Sequence, residues 1–135
     1  MIDVPKLIDF PRIVDERGNL SFLENENQIP FQIKRTYWIY DVPGGGVRDG
    51  RALISASELI VSLSGSFDIV LNDGVQETKF HMARSYHGLF VPKMIWRKID
   101  NFSTNSLALV LSDKVFAETR YVRNFDDYLK MRNGF

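Results

Sequence analysis

The chain has 135 residues, a length that suits a single domain, 1–135, with one hydrophobic core. Its 17 basic and 17 acidic side chains give a formal net charge of zero, which excludes a general electrostatic attraction to nucleic acid or to a membrane surface. The absence of cysteine excludes disulfides and thiolate catalysis. The first ten residues, MIDVPKLIDF, contain no long apolar run, so we expect neither a signal peptide nor a spanning helix, and a cytoplasmic protein.

Short apolar stretches alternate with turn signals along the chain, and none has a sustained helical period. They are rich in Val, Ile, Phe and Tyr, which favour strands, and in chain order they lie at 37–42, 59–63, 67–71, 88–91 and 106–111. Turn signals lie at 15–19, 64–66 and 72–74. The stretch 59–71 predicts a hairpin around Gly65. Only the tail, 126–132, has a helical pattern, so the sequence predicts an all-β sandwich or barrel with a short C-terminal helix.

The C-terminal region carries four basic residues, with acidic residues interleaved among them. This pattern indicates a solvated face rather than a patch that binds nucleic acid. The basic residues are Arg120, Arg123, Lys130 and Arg132.

The segment 45–65 has the spacing of the first motif of the cupin barrel. The two histidine positions of that motif hold Arg51 and Leu53, and its glutamate position holds Glu58. The second cupin motif is also present further along the chain, with Arg97 at its histidine position. The resemblance implies a cupin fold, that is, a double-stranded β-helix or jelly-roll barrel. Residues two apart on a strand share a face, so positions 51 and 53 are expected on one face.

Longer stretches resemble one family more closely, the sugar 3,4-ketoisomerases of the FdtA/QdtA (WxcM-like) type, which act on dTDP-4-keto-6-deoxyglucose. The matching stretches follow one another over nearly the whole chain, as DERGNL at 15–20, IPFQIKRTY at 29–37, GLFVP at 88–92, IW at 95–96, NFS at 101–103 and ETRYVRNFD at 118–126. The resemblance implies an isomerase of deoxysugar and cell-surface polysaccharide biosynthesis that binds a dTDP-linked hexose. It also implies a homodimer whose N-terminal strands extend toward the partner barrel, a role that the segment 5–14 fits.

The family reaction moves a carbonyl group between neighbouring sugar carbons, so it needs a base that takes a proton from one carbon and returns it to the next. The histidine pair is the obvious provider in the family, because the pKa of histidine lies near working pH. Arg51 and Arg97 cannot replace it, because a guanidinium group stays protonated, and Leu53 has no exchangeable proton.

Three hypotheses remain open. In the first, the protein is an isomerase with relocated acid–base groups. In the second, it is a non-catalytic module that binds a nucleotide sugar or another anion, as a sensor or an inactive paralogue. A structural cupin with a collapsed pocket is the third, and the apolar Leu53 is the feature that favours it.

Three side chains are candidates for a relocated catalytic group: Tyr37, His81 and His87. The two histidines are the only ones in the chain, and a structural or surface role is the alternative for each. Tyr37 would act as an acid if neighbouring arginines lowered its pKa, and the alternative is a packing residue with a satisfied hydroxyl.

The resemblance also assigns residues to substrate binding. Arg35 and Arg48 stand where the family has arginines for the diphosphate, whose oxygens match an arginine fork. Arg51 and Arg97 either enlarge this anion-binding pocket, or one of them pairs with Glu58 in the space where other cupins hold a metal. A metal or other cofactor is not expected, because Glu58 would be the only ligand left. The predicted substrate-binding set is Arg17, Arg35, Tyr37, Arg48, Arg51, Glu58, Arg97 and Tyr121.

Overall fold

A computed structural model of the protein describes residues 4–134. This part of the chain forms twelve strands, one 3-10 turn at Phe116–Glu118 and one α-helix. The strands are β1 (Lys6–Asp9), β2 (Arg12–Ile13), β3 (Leu20–Ser21), β4 (Arg35–Ile39), β5 (Arg48–Leu53), β6 (Glu58–Ser64), β7 (Phe67–Asn72), β8 (Glu77–Met82), β9 (His87–Val91), β10 (Trp96–Asp100), β11 (Leu107–Ser112) and β12 (Tyr121–Val122), and the helix is α1 (Phe125–Arg132).

The strands form two five-stranded antiparallel sheets, in the orders β1-β9-β6-β11-β4 and β12-β5-β10-β7-β8. A separate two-stranded sheet joins β2 and β3. The main core lies between the two large sheets and takes side chains from both, among them the fully buried Ile60 and Leu89 on one side and Ile69 and Ile99 on the other. The prediction of an all-β jelly-roll barrel of the cupin type, with a short C-terminal helix, is confirmed.

The predicted hairpin around Gly65 is wrong. Strand β6 pairs with β9 and β11, whereas β7 pairs with β8 and β10, so the chain passes from one large sheet to the other at this turn. Gly65 has a φ of +67°, and a Cβ there would lie 2.9 Å from the Cα of Ser106. Glycine therefore permits a close crossing between sheets, which the local sequence does not distinguish from a hairpin turn.

The turn at 72–74 does close a hairpin, because β7 and β8 pair directly from Asn72↔Glu77 onward. Gly74 has a φ of +95°, and the side chain of Asp73 accepts hydrogen bonds from the backbone N–H groups of Val75 and Gln76. The helix begins at Phe125, where the side chain of Asn124 accepts a hydrogen bond from the backbone N–H of Asp127. Among residues 4–134, no helix has the length and apolar character needed to cross a membrane.

Candidate functional site

Strand β4 carries alternate side chains toward and away from the barrel interior. Arg35, Tyr37 and Ile39 are partly buried, whereas Thr36 and Trp38 are exposed, as the two-residue period of a strand requires. On the opposite sheet, β5 and β10 are paired with Arg51 directly across from Arg97. Cross-strand partners lie on the same sheet face, and both arginines line one cavity of the barrel.

A buried ion pair connects the two large sheets. Glu58 on β6 and Arg97 on β10 are joined by a hydrogen bond of 2.7 Å from Arg97 Nη2 to Glu58 Oε1, and their side chains are 2% and 4% exposed. Sequence reasoning had left open whether an arginine pairs with Glu58, and the structure assigns that partnership to Arg97. Although burial alone would lower the pKa of the Arg97 guanidinium, the neighbouring Glu58 and Tyr37 raise it above its ordinary value.

Tyr37 completes this network from β4. Its hydroxyl donates a hydrogen bond of 2.6 Å to Glu58 Oε2 and accepts hydrogen bonds from Arg97 Nη2 at 3.1 Å and Arg51 Nη2 at 3.3 Å. Burial and the adjacent Glu58 carboxylate raise the pKa of Tyr37, and they outweigh the two arginines, which act in the opposite direction. The condition proposed for an acidic Tyr37, a pKa lowered by arginines, is therefore not met in this network.

Two cavities adjoin the network. The larger, which we call the arginine cavity, has a volume of about 500 Å³, and the smaller, which we call the glutamate cavity, about 260 Å³. The arginine cavity is lined by Ile39, Val47, Arg48, Gly50, Arg51, Trp96, Arg97 and Arg123. The glutamate cavity is lined by Arg35, Arg51, Leu53, Glu58, Phe116, Thr119, Tyr121 and Arg123. Leu53 lies in the wall of the glutamate cavity without closing it, which contradicts the hypothesis of a collapsed pocket.

Arginine dominates the charge of both cavities. Five arginines line the two cavities together, against Glu58 as the one carboxylate among the described lining residues. Arg51 and Arg123 belong to both linings, so the two spaces adjoin the same guanidinium groups. Such an interior is suited to an anionic ligand with several oxygens, because arginine forks match phosphate and carboxylate oxygens.

Arg35 has hydrogen-bonding capacity that the described side chains do not satisfy. Its guanidinium lies over the rings of Tyr37, at 4.5 Å, and Phe116, at 5.2 Å. Its buried Nη1 atom has no hydrogen-bond partner among residues 4–134, and neither has the buried Nε atom of Arg97. Because buried donors are nearly always paired, an unpaired donor beside a cavity can be satisfied by a ligand oxygen or by a water in that cavity.

Arg123, which the sequence pattern assigned to a solvated face, is exposed and also lies beside the network. It follows β12, which pairs with β5 through Tyr121↔Leu53, and it lines both cavities. Its Nη2 atom donates a hydrogen bond of 2.9 Å to the hydroxyl of Tyr121. The alternation Tyr121-x-Arg123 at the end of a strand was the available signal, but the acidic residues nearby masked it.

Three predicted residues lie away from both cavities. Arg17 is 89% exposed in its side chain and forms an ion pair of 2.7 Å with Asp15. His81 and His87 line neither cavity, and their Nδ1 atoms lie 2.7 and 2.6 Å from the carboxylates of Asp68 and Asp9, respectively. Their predicted roles stay predictions. Of the three catalytic candidates, only Tyr37 contacts side chains that line the cavities.

The donor set at Glu58 does not match a metal site. Among residues 4–134, no three His, Cys, Asp or Glu side chains converge as metal ligands would. The hydrogen-bonding neighbours of Glu58 are Arg97 and Tyr37, one a cation and the other a neutral hydroxyl.

A jelly-roll barrel whose cavities are lined by arginines around the carboxylate of Glu58 defines a cupin with cavities that suit an anionic ligand. The chain matches the FdtA family (WxcM-like, C-terminal) over residues 3–133. It is 34% identical over 125 residues to a TDP-4-oxo-6-deoxy-alpha-D-glucose-3,4-oxoisomerase from Aneurinibacillus thermoaerophilus, a match that covers 93% of this chain and 90% of that relative. The chain belongs to the FdtA family, as its sequence resemblance predicted.

Solved structures of ketoisomerases are similar over nearly the full length. A mutant of the 3,4-ketoisomerase QdtA from Thermoanaerobacterium thermosaccharolyticum, in complex with TDP-4-keto-6-deoxyglucose, matches with a TM-score of 0.92 and 30% identity over 98% of this chain and 96% of that one. The WlaRB TDP-quinovose 3,4-ketoisomerase from Campylobacter jejuni matches with a TM-score of 0.90 and 36% identity over 96% and 99% of the two chains.

The buried ion pair leads to a prediction about stability. Glu58→Leu leaves the guanidinium of Arg97 buried without its partner and is expected to lower the free energy of unfolding by about 3–5 kcal/mol. The double variant Glu58→Leu/Arg97→Met removes both charges and should recover most of that loss. Urea unfolding of the three proteins measures both differences. A single variant as stable as the unmodified protein would contradict the pairing.

Proposed function

We propose that this protein binds a TDP-linked 4-keto-6-deoxyhexose inside its barrel, in the biosynthesis of deoxysugars for cell-surface polysaccharides. The observation that carries the proposal is the set of five arginines around two cavities that share Arg51 and Arg123. The bound ligand of the similar QdtA structure, TDP-4-keto-6-deoxyglucose, supports this ligand class. A cytoplasmic location, expected from the sequence, belongs to the same proposal.

The charges of the cavities fit the diphosphate of a nucleotide sugar. Arg97 is already paired with Glu58, whereas Arg35, Arg51 and Arg123 form no ion pair with a carboxylate among the described side chains. A diphosphate carries two negative charges and accepts several hydrogen bonds, so it would neutralise guanidinium groups that otherwise repel one another. We place the diphosphate in the arginine cavity and the hexose beside Glu58 in the glutamate cavity.

The second candidate function is a non-catalytic module that binds the same ligand. It is favoured by the side chains at the three histidine positions of the cupin motifs, Arg51, Leu53 and Arg97, none of which exchanges a proton near neutral pH. No histidine is among the residues described as lining the two cavities. Both candidate functions require binding of a TDP sugar, and only the first requires turnover.

Binding of TDP tests the proposal. We expect calorimetric titration to detect TDP binding that weakens as salt is added, because charge pairs provide much of the affinity. Arg51→Met removes a guanidinium common to both cavities and should weaken binding by about 10- to 100-fold, the usual range for one charged hydrogen bond. The exposed Arg120, which lines neither cavity, offers the matched control Arg120→Met, with unchanged affinity expected. Absence of TDP binding by the unmodified protein would overturn the proposal.

We further propose a homodimer formed through the N-terminal segment. Strands β2 and β3 pair with each other rather than with either large sheet, and they expose apolar side chains. Ile13 and Leu20, which are cross-strand partners, are 56% and 54% exposed, and Val14 beside them is 76% exposed. An exposed apolar cluster of this kind supports a protein–protein contact.

Sedimentation measures the assembly state. The unmodified protein is expected to have twice the mass of one chain, whereas Ile13→Asp/Leu20→Asp introduces charge into the apolar cluster and should shift the population toward monomers. Val75→Asp changes an exposed apolar residue in the turn between β7 and β8 and should leave the dimer intact. A monomeric unmodified protein at micromolar concentration would refute the dimer.

A further inference from the structure

Carbonyl migration from C4 to C3 of a hexose requires removal of the proton on C3 and delivery of a proton to C4. The residues at the three histidine positions, Arg51, Leu53 and Arg97, cannot accept that proton. We propose that Glu58 is the catalytic base of this chain, and that the proton of the C3 hydroxyl passes directly to the neighbouring oxygen on C4. This inference rests on the proposed binding of a TDP-linked keto sugar.

Position is the first argument for Glu58. It is the one carboxylate among the described residues that line the two cavities, and it lies in the wall of the glutamate cavity, where we place the hexose. The side chain is nearly buried, so water does not compete for its oxygens. A carboxylate held in a largely dry site beside the substrate meets the geometric requirement for a general base.

The hydrogen bonds of Glu58 are the second argument. Arg97 donates to Oε1 and Tyr37 donates to Oε2, so each oxygen has one protein partner. A carboxylate has about four acceptor sites, so both oxygens keep capacity to receive a proton from a substrate carbon. The two donors also fix the orientation of the carboxylate, which an efficient base requires.

Arg51 supplies stabilisation for the intermediate. Loss of the C3 proton produces an enediolate, which bears negative charge on the substrate oxygens. The Nη2 atom of Arg51 lies 3.3 Å from the hydroxyl of Tyr37, and the side chain lines both cavities. A fixed guanidinium at this position would stabilise the negative charge that develops on the substrate oxygen. This role needs a positive charge rather than a proton acceptor, so an arginine can perform it.

The proton transfers balance without a further reactant. The Glu58 carboxylate takes the C3 proton, the electrons of the C–H bond form the C3–C4 double bond, and the charge moves to the oxygen on C4. The proton of the C3 hydroxyl then passes to the neighbouring, negatively charged oxygen on C4. The oxygen on C3 then forms the new carbonyl, C4 receives the proton held by Glu58, and the carboxylate returns to its starting state.

The test compares variants at saturating TDP-4-keto-6-deoxyglucose, with formation of the 3-keto isomer followed by NMR and TDP affinity measured separately. The unmodified protein should form the isomer. Glu58→Gln preserves the shape of the side chain and one acceptor oxygen but removes the negative charge and one acceptor. The folded variant should bind TDP within about threefold of the unmodified protein yet turn over at least about 100-fold more slowly, the range expected for loss of a general base. Glu77→Gln, which removes an exposed carboxylate on β8, is the matched control and should turn over normally.

A double variant covers the case in which Glu58→Gln does not fold. Glu58→Gln/Arg97→Gln leaves no unpaired buried charge and should fold but form no isomer. Turnover near the normal rate in either folded Glu58 variant would overturn the role of Glu58. Binding of TDP without turnover by the unmodified protein would also overturn it, while leaving the proposed ligand intact. Failure of the unmodified protein to bind TDP would instead overturn the proposed function itself.

Discussion

The ion pair between Glu58 and Arg97 is the constraint on which the interior of this barrel depends. The two residues lie on different five-stranded sheets, so their ion pair joins the sheets at the place where the interior changes from apolar to polar. Burial of two charges is costly unless each has a close partner, and here Tyr37 contributes a further hydrogen bond to each of them. The neighbouring strands therefore carry an ordered polar network in a space that an apolar core would otherwise fill.

This network divides the arginines of the interior into two groups. Arg97 forms an ion pair with Glu58, whereas the other four lining arginines have no carboxylate partner among the described side chains. These four are Arg35, Arg48, Arg51 and Arg123. The division explains how the interior keeps a positive charge that suits an anionic ligand, although the histidine positions of the cupin motifs have changed. It also gives Glu58 two roles, as the ion-pair partner of Arg97 and as the proposed base. Among the described lining residues, Glu58 has the only carboxylate near the proposed sugar site. Binding and proton transfer are thus linked through a single buried side chain.

Sequence patterns predicted the fold more completely than the site. Apolar strands such as β6 and β7 were identified because they are buried on both faces, whereas the polar β8 and the charged β10 carry no such signal. The partners of β6 were predicted wrongly, because pairing between distant strands is not encoded in a local turn. Motif spacing identified Arg51 and Arg97, but their inward orientation depends on strand register, where a shift of one residue reverses every side chain. Arg123 was assigned only to a solvated face because Glu118, Asp126 and Asp127 are interleaved with the basic residues of the C-terminal region.

A crystal structure of this protein with TDP tests the central claim most directly, namely that the arginine-lined interior is the nucleotide site. The account predicts diphosphate oxygens within hydrogen-bonding distance of Arg51 and Arg123 in the arginine cavity, with the ion pair between Glu58 and Arg97 unchanged. A diphosphate bound outside both cavities, or bound by Arg97 after separation from Glu58, would contradict it.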